Sequence, residues 1–270
     1  MNSDQKVILI TGASSGIGLA CAEYLAARGN IVYGIGRNQG FTSMHFFYYS
    51  ADITNEASIV RIVADILQKE KRIDLLINNA GIHVLGAVEH ISHRIAQHLF
   101  ECNFFGSLNM IRTILPSMKQ RRRGLIICIS SLAGISGLPF QGIYCASKFA
   151  IEGLSESLRM ETDRSGVQIV LLEPGDFRTP ITRNRIKDPQ TGIDPYYEKK
   201  FKETSKKITA DENNGMDPLS IAKKVEKIMH LKRPALRYTA GKPIQRLVPI
   251  LRRILPSAFF QYLIRKNYYA

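Results

Sequence analysis

Tyr144 and Lys148 stand four residues apart at the head of a segment whose Ala146, Phe149, Ala150 and Leu154 read as a helix. On a helix that spacing places both side chains on one face, one turn apart. An ammonium beside a phenol favours the phenolate and lowers its pKa from about 10, toward a range useful for proton transfer. Ser131, on the preceding loop, can hydrogen-bond the oxygen that Tyr144 protonates. A general acid, its tuner and a carbonyl polariser thus fall within eighteen residues. Tyr and Lys at this spacing occur on many helices, so the pair acquires meaning only from the rest of the chain.

The elements that must position these residues are legible in order. Val7-Ile8-Leu9-Ile10 is an apolar run followed by Thr11-Gly12, the pattern of a buried parallel strand and its exit turn. A helix follows over 17–28, with Gly29 as its C-cap, then a strand over 31–35 and an amphipathic helix over 55–69. A strand at 74–78 ends in Asn78-Asn79-Ala80-Gly81. One long helix is expected from Ile95 to Met118, broken by Pro116, with Arg121-Arg122-Arg123 as a solvated loop. Strand 125–130, helix 145–163 and strand 167–172 complete the series. Strands alternating with helices predict an α/β fold, a Rossmann-type doubly wound parallel sheet in a single domain over 1–270. Ligands of such sheets bind beyond the carboxyl ends of the strands, where every motif named here lies.

Thr11-Gly12-Ala13-Ser14-Ser15-Gly16-Ile17-Gly18 sits between the first strand and helix. Gly12 allows the tight turn, Gly16 the close approach of a pyrophosphate, and Gly18 the packing of helix on sheet. Backbone N–H groups and the helix dipole then hold the anion. The second strand ends in Gly36-Arg37, where an acid would mark NAD. A guanidinium suits a 2′-phosphate, which favours NADP(H) over NAD(H).

With these segments together, the chain resembles the short-chain dehydrogenase/reductase family. The matching motifs are Thr11-Gly12-x3-Gly16-Ile17-Gly18, Asp52-Ile53, Asn78-Asn79-Ala80-Gly81, Asn103, Ser131, Tyr144-x3-Lys148, and Pro174-Gly175 followed by Thr179. They span residues 7 to about 180 in the family's order. The stretch from Gly137 to Ala150 is most similar to the branch holding 17β-hydroxysteroid and retinol dehydrogenases. The resemblance implies hydride transfer between a carbonyl and an alcohol. Tyr144 would be the acid/base, and Lys148 would tune it and bond the nicotinamide ribose. Ser131, rather than Ser130, would orient the carbonyl, and Asn103 would hold a water relaying protons to Lys148. Asp52 would cap the adenine and Asn79, within the Asn79-Ala80-Gly81 turn, would line the cofactor cleft. Pro174, Gly175 and Thr179 would meet the nicotinamide carboxamide. The resemblance also implies a homodimer or homotetramer, formed through the long helix and the 145–163 helix.

The net charge of +14 is uneven: residues from Lys199 onward hold 17 Lys and Arg against 5 Asp and Glu. Residues 180–215 are polar and proline-containing, the pattern of a mobile lid; Asp217 and Pro218 open a helix. The last segment, Ile244–Tyr269, interleaves apolar residues with Arg246, Arg252, Arg253, Arg265 and Lys266, with Pro249 and Pro256 dividing it into short helices. This C-terminal helical extension, about 181–270, has three open readings: wall of an apolar pocket, core or subunit contact, or peripheral contact with an anionic membrane. Under the first or third the substrate is a lipophilic small molecule: a steroid, a retinoid or a long-chain 3-oxo lipid. Nucleic acid is not expected, because the basic residues join no stacking or docking motif. His90, His93 and His98 lack a ligand spacing and read as surface residues, so no metal is expected. Cys21, Cys102, Cys128 and Cys145 form no paired motif. With the polar start Met1–Lys6 and no spanning apolar run, they point to the cytoplasm. A non-catalytic NADP(H)-sensing or scaffold protein of the same fold is the alternative; it would have no need of Tyr144, Lys148, Ser131 and Asn103 together.

Overall fold

The computed structural model describes residues 5–189, 191 and 193–269, so the polar start Met1–Asp4 lies outside the described residues. Strand β1, Val7–Thr11, is buried along its whole length. It pairs with β2, Ile31–Gly36, on one side and with β4, Leu75–Asn78, on the other. The seven strands run in the order β3-β2-β1-β4-β6-β7-β9, every ladder parallel. The chain therefore reverses its winding between β1 and β4, which opens a crevice above their carboxyl ends.

The expected strands reappear with boundaries moved by a residue or two, β6 at Gly124–Ile129 and β7 at Val167–Pro174. Two strands escaped the pattern. Strand β3, Phe47–Ser50, lies at one edge, and β9, Arg237–Ala240, at the other. Neither is an apolar run, because an edge strand needs only one buried face. Residues Val84–Leu85 (β5) and Ile186–Lys187 (β8) form a separate two-stranded ladder.

One face of the sheet is covered by α1, Gly16–Ala27, and α8, Leu219–Met229, through Cys21, Ala22, Leu25, Ile221, Val225 and Ile228. The other carries α2, Glu56–Glu70, with the long helix and α5, Gly142–Glu161. The long helix is three pieces: α3, His93–Phe100; a π-helical turn, Glu101–Phe105; and α4, Gly106–Gln120. Pro116 does not break it but lies inside α4. An interior proline costs about 3 kcal/mol. Ile114 and Met118, both fully buried on either side of it, offset that cost by staying packed on the sheet.

The polar stretch expected as a lid is built of elements: α6, Ile181–Asn184, β8, and α7, Glu198–Asn213, which buries Phe201, Thr204, Ser205 and Ile208. Asp217 does cap α8, its Oδ1 accepting the Leu219 N–H at 2.8 Å. The last segment forms two helices, α9, Pro243–Ile254, and α10, Ser257–Tyr269. Pro256 separates them, as expected; Pro249 is carried within α9.

Candidate active site

The turn after β1 holds Gly12 at φ +68° and Gly16 at φ +58°, both in the left-handed region that favours glycine. A side chain at Gly18 would collide with the Gly12 carbonyl, so helix α1 can lie against this turn only without one. Thr11 is the fastener beneath: its hydroxyl accepts from the Asn79 and Ala80 N–H groups, each at 2.9 Å, while Asn79 Nδ2 donates to the Thr11 carbonyl at 2.9 Å. The glycine turn and the Asn79-Ala80-Gly81 turn are thus one rigid unit.

Above them runs a groove of about 750 Å³, within the range of small-molecule sites. It is lined by Gly12, Ser14, Ser15, Gly16, Ile17, Arg37, Asp52, Ile53, Asn79, Ala80, Gly81 and Thr179, all expected from the sequence. Five residues expected to hold the cofactor do not line it; Tyr144 and Lys148 stand behind its inner end. Gly18 packs under the turn. Pro174 pairs with Ala240 in the sheet, and Gly175 is covered by the Gln245 side chain of α9. At the outer end, a Cβ on Gly36 would stand 2.7 Å from the Tyr48 hydroxyl and 3.2 Å from Ser14 Oγ. Glycine keeps this corner open beside Arg37. The open corner, the left-handed glycines and the N-terminus of α1 fit an extended dinucleotide diphosphate.

Behind the groove's inner end, at Gly81, Ile82 and His83, stand the four residues expected to do chemistry. Tyr144 lies in the first turn of α5. Ser131 caps the short 3-10 turn Leu132–Gly134, its Oγ accepting the Ala133 N–H at 3.1 Å, and its hydroxyl stands beside the Tyr144 phenol. Lys148 Nζ donates to the Ile129 carbonyl at 3.0 Å and stands 5.9 Å from the Tyr144 ring centroid. Asn103 lies in the π turn, buried. Its Oδ1 accepts the Ile82 N–H at 2.8 Å, and its Nδ2 donates to the Ile82 carbonyl and Ser147 Oγ, both at 3.0 Å. The amide expected to hold a relay water is therefore engaged in clamping Ile82 to α5. Gly81 roofs this corner: a Cβ there would lie 3.2 Å from Asn103 Oδ1 and 3.8 Å from Lys148 Nζ.

The expected lowering of the Tyr144 pKa is not found. Burial pushes the phenol above its ordinary value, and the nearby Ser131 hydroxyl offsets this only in part. Lys148 is itself drawn down to about 8 by burial. Desolvation is the largest cause at both groups, and the ammonium is turned toward the Ile129 carbonyl rather than the phenol.

Sequence reading missed a buried polar chain against the same tyrosine. His83 stacks edge-on to the Tyr144 ring, centroids 4.3 Å apart. Its Nδ1 accepts from Arg185 Nε, so Nε2 carries the proton and donates to Gln141 Oε1 at 2.8 Å. Burial and then the Arg185 charge pull His83 down to about 3, which keeps the ring neutral. Arg185 in turn forks onto both oxygens of Glu212, which also accepts from the Thr182 hydroxyl at 2.7 Å. Tyr268, brought in by α10, packs on the neighbouring cluster of Leu85, Phe140 and Phe201. No spacing rule links these residues, which come from five separate places in the chain.

His93 and His98 are exposed as expected. His90 is not; it is partly buried, with Nδ1 3.2 Å from the Thr191 hydroxyl and Nε2 3.2 Å from Asp194. Glu89 joins these in a cluster. The cysteines are all buried and free, and burial holds the Cys145 thiol up at about 11, the wrong direction for a nucleophile.

Residues 6–190 match the short chain dehydrogenase family. The chain belongs to that family. It is 39% identical over 263 residues to the 3-ketodihydrosphingosine reductase of Bacteroides thetaiotaomicron, covering 97% of this chain and 98% of the relative. It is 32% identical to retinol dehydrogenase 8 of Bos taurus, over 86% of this chain and 80% of that one. A crystal structure of a short-chain dehydrogenase from Streptomyces avermitilis superposes with a TM-score of 0.84 at 29% identity, covering 98% of each chain. This short chain dehydrogenase is accordingly an NAD(P)-dependent oxidoreductase acting on the CH–OH group of a carbonyl/alcohol pair.

Proposed function

We propose that this dehydrogenase works as an NADPH-dependent reductase of a long-chain ketone of the 3-ketodihydrosphingosine type. The carrying observation is Tyr144 and Lys148 one turn apart on α5 beside the Ser131 hydroxyl, behind a groove whose outer end is Arg37. The substrate class is supported by the likeness to the Bacteroides reductase along nearly the whole of both chains. An apolar cluster of Leu85, Phe140, Phe201, Ile208 and Tyr268, suited to an alkyl chain, agrees with it.

The cofactor, when bound, supplies the hydride. Gly12 to Gly16 hold its diphosphate, Arg37 pairs with the 2′-phosphate, and Asp52 and Ile53 flank the base. Asn79, Ala80, Gly81 and Thr179 wall the middle of the groove. Ser131 donates to the substrate carbonyl, and Tyr144 gives its proton to the developing alkoxide oxygen. Burial keeps the phenol protonated at neutral pH, the state a reductase needs. Lys148, under Gly81, is placed for a ribose hydroxyl, and Asn103 fixes the Ile82 backbone that closes this corner. Pro174 and Gly175, covered by Gln245, take a supporting part only. Exposed Phe105, Phe149 and Met160 on the long helix and α5 suit a contact with a second copy in a homodimer or homotetramer.

The test is steady-state oxidation of NADPH and of NADH in the presence of 3-ketodihydrosphingosine, all-trans-retinal and a steroid ketone. Fastest turnover with NADPH and the sphingoid ketone is expected. Indifference to NADPH, or turnover only with the other two carbonyls, would refute the reading.

A further inference from the structure

Helix α9 leans on the body of the enzyme through Gln245, which bonds Asp176 and covers Gly175. The opposite side of the helix carries Ile244, Leu247, Ile250 and Ile254, which are 65%, 47%, 56% and 66% exposed. At 100° per residue these four fall within one arc of about 120°, centred opposite Gln245. No residue of α9 is buried. Isolated exposed leucines need no explanation, but a continuous apolar stripe on a helix does.

What flanks the stripe is equally one-sided. Arg246 and Arg253 border it, and Arg252 lies nearer the body; residues 243–270 contain no Asp or Glu at all. Helix α10 repeats the division. Phe260 and Tyr268 turn inward, while Phe259 and Tyr262 are each 50% exposed, with rings stacked 6.3 Å apart. Apolar stripe, cationic border and no anion form the pattern of a helix lying in the headgroup layer of an anionic membrane. A second copy of the chain would bring the same arginines against themselves, whereas an anionic lipid surface complements them. Among the described residues no helix is long and apolar enough to cross a membrane, so the contact is one of lying on it.

We propose that α9, with the outer face of α10, docks this dehydrogenase onto an anionic lipid bilayer. The contact also has a direction. Tyr268 on the inner face of α10 packs on the cluster of Leu85, Phe140 and Phe201, and Gln141, next to Phe140, bonds the His83 packed on Tyr144. The docking helices therefore pack on the apolar cluster beside the reacting centre, an arrangement that suits a ketone carried on an alkyl chain. That last step rests on the substrate reading above; the docking itself does not.

Flotation separates the two. The full chain is mixed with vesicles of phosphatidylcholine doped with phosphatidylglycerol, or of phosphatidylcholine alone, at low and high salt. Wild type is expected to float with the anionic vesicles, at least tenfold more weakly with the neutral ones, and to be released by salt. Ile250→Glu with Ile254→Glu should abolish flotation, and Arg246→Glu with Arg253→Glu should weaken it by about fivefold or more per arginine. Both variants should keep the rise in melting temperature given by NADPH, which shows an intact fold and groove. No flotation of wild type, or flotation untouched by both variants, overturns the proposal. So does sedimentation showing a dimer that Ile250→Glu with Ile254→Glu dissociates. An enzyme that floats but leaves 3-ketodihydrosphingosine unreduced keeps the docking and loses the substrate assignment.

Discussion

The outer end of the groove is shaped by backbone, the inner end by side chains reaching in from five separate stretches of chain. At Gly12, Gly16, Gly18 and Gly36 the essential feature is the lack of a Cβ. Around Tyr144 it is the chain of Gln141, His83, Arg185 and Glu212, in which each group satisfies the next. A backbone cradle serves any dinucleotide of the right shape, whereas a side-chain network can be exchanged without disturbing the sheet. That difference explains how one fold keeps its cofactor and changes its substrate.

The sharpest way to break the comparison is Tyr144→Phe. Loss of the proton donor should lower turnover about 10²- to 10⁴-fold, while NADPH binding, measured by fluorescence titration, stays near wild type. A parallel loss of cofactor affinity would show that the two ends are not independent. Arg185→Leu tests the network itself. It strands the Glu212 carboxylate and the His83 acceptor in a buried place, so urea unfolding should show a loss of about 3–5 kcal/mol. Adding Glu212→Gln should recover part of that loss, because the stranded charge goes with it. Arg37→Leu probes the other end, where the expected change is smaller and purely one of preference. The ratio of kcat/KM for NADPH over NADH should fall about tenfold to a hundredfold, with stability unchanged.

How far each region could be read from the chain follows the same division. Strands buried on both faces announce themselves as apolar runs, so Val7–Thr11 and Leu75–Asn78 were legible, and with them the crevice between β1 and β4. Glycine turns are legible too, since few residues can replace them. Edge strands were not: Phe47–Ser50 is half exposed, and Arg237–Ala240 begins with a charged residue. Pro116 reads as a helix breaker, yet the packing of α4 on the sheet holds it in place. The pair Tyr144 and Lys148 was placed correctly by spacing and misjudged in its electrostatics, because spacing says nothing about desolvation. Pro174 and Gly175 were misplaced for a related reason: the covering side chain, Gln245, comes from about seventy residues further on. Nothing in the local sequence of His83 or Arg185 marks them as neighbours of Tyr144.

The smallest effect concerns the floor beneath both regions. Glu152, one turn beyond Lys148 on α5, is buried, and burial raises its carboxyl from 4.5 to about 7; Ser130 and Arg237 hold it back only partly. The folded state therefore keeps a proton that the unfolded chain releases between those two values, and Glu152 lowers stability as pH rises through that window. His83 acts in the opposite sense over much of the same range. It stays neutral down to about 3 when folded, while the unfolded imidazole takes a proton below about 6.5, so its contribution is lost as pH falls. Wild type should consequently show a muted pH profile, and the Glu152 effect is visible only as a difference. Glu152→Gln minus wild type should grow by about 1.4 kcal/mol per pH unit between pH 5 and 6 and level off above about 7. Glu173, also raised by burial and also held by Arg237, is present in both proteins. A difference that is flat with pH would mean that Arg237 keeps Glu152 ionised throughout, and that the floor under Lys148 is an ion pair rather than a protonated acid.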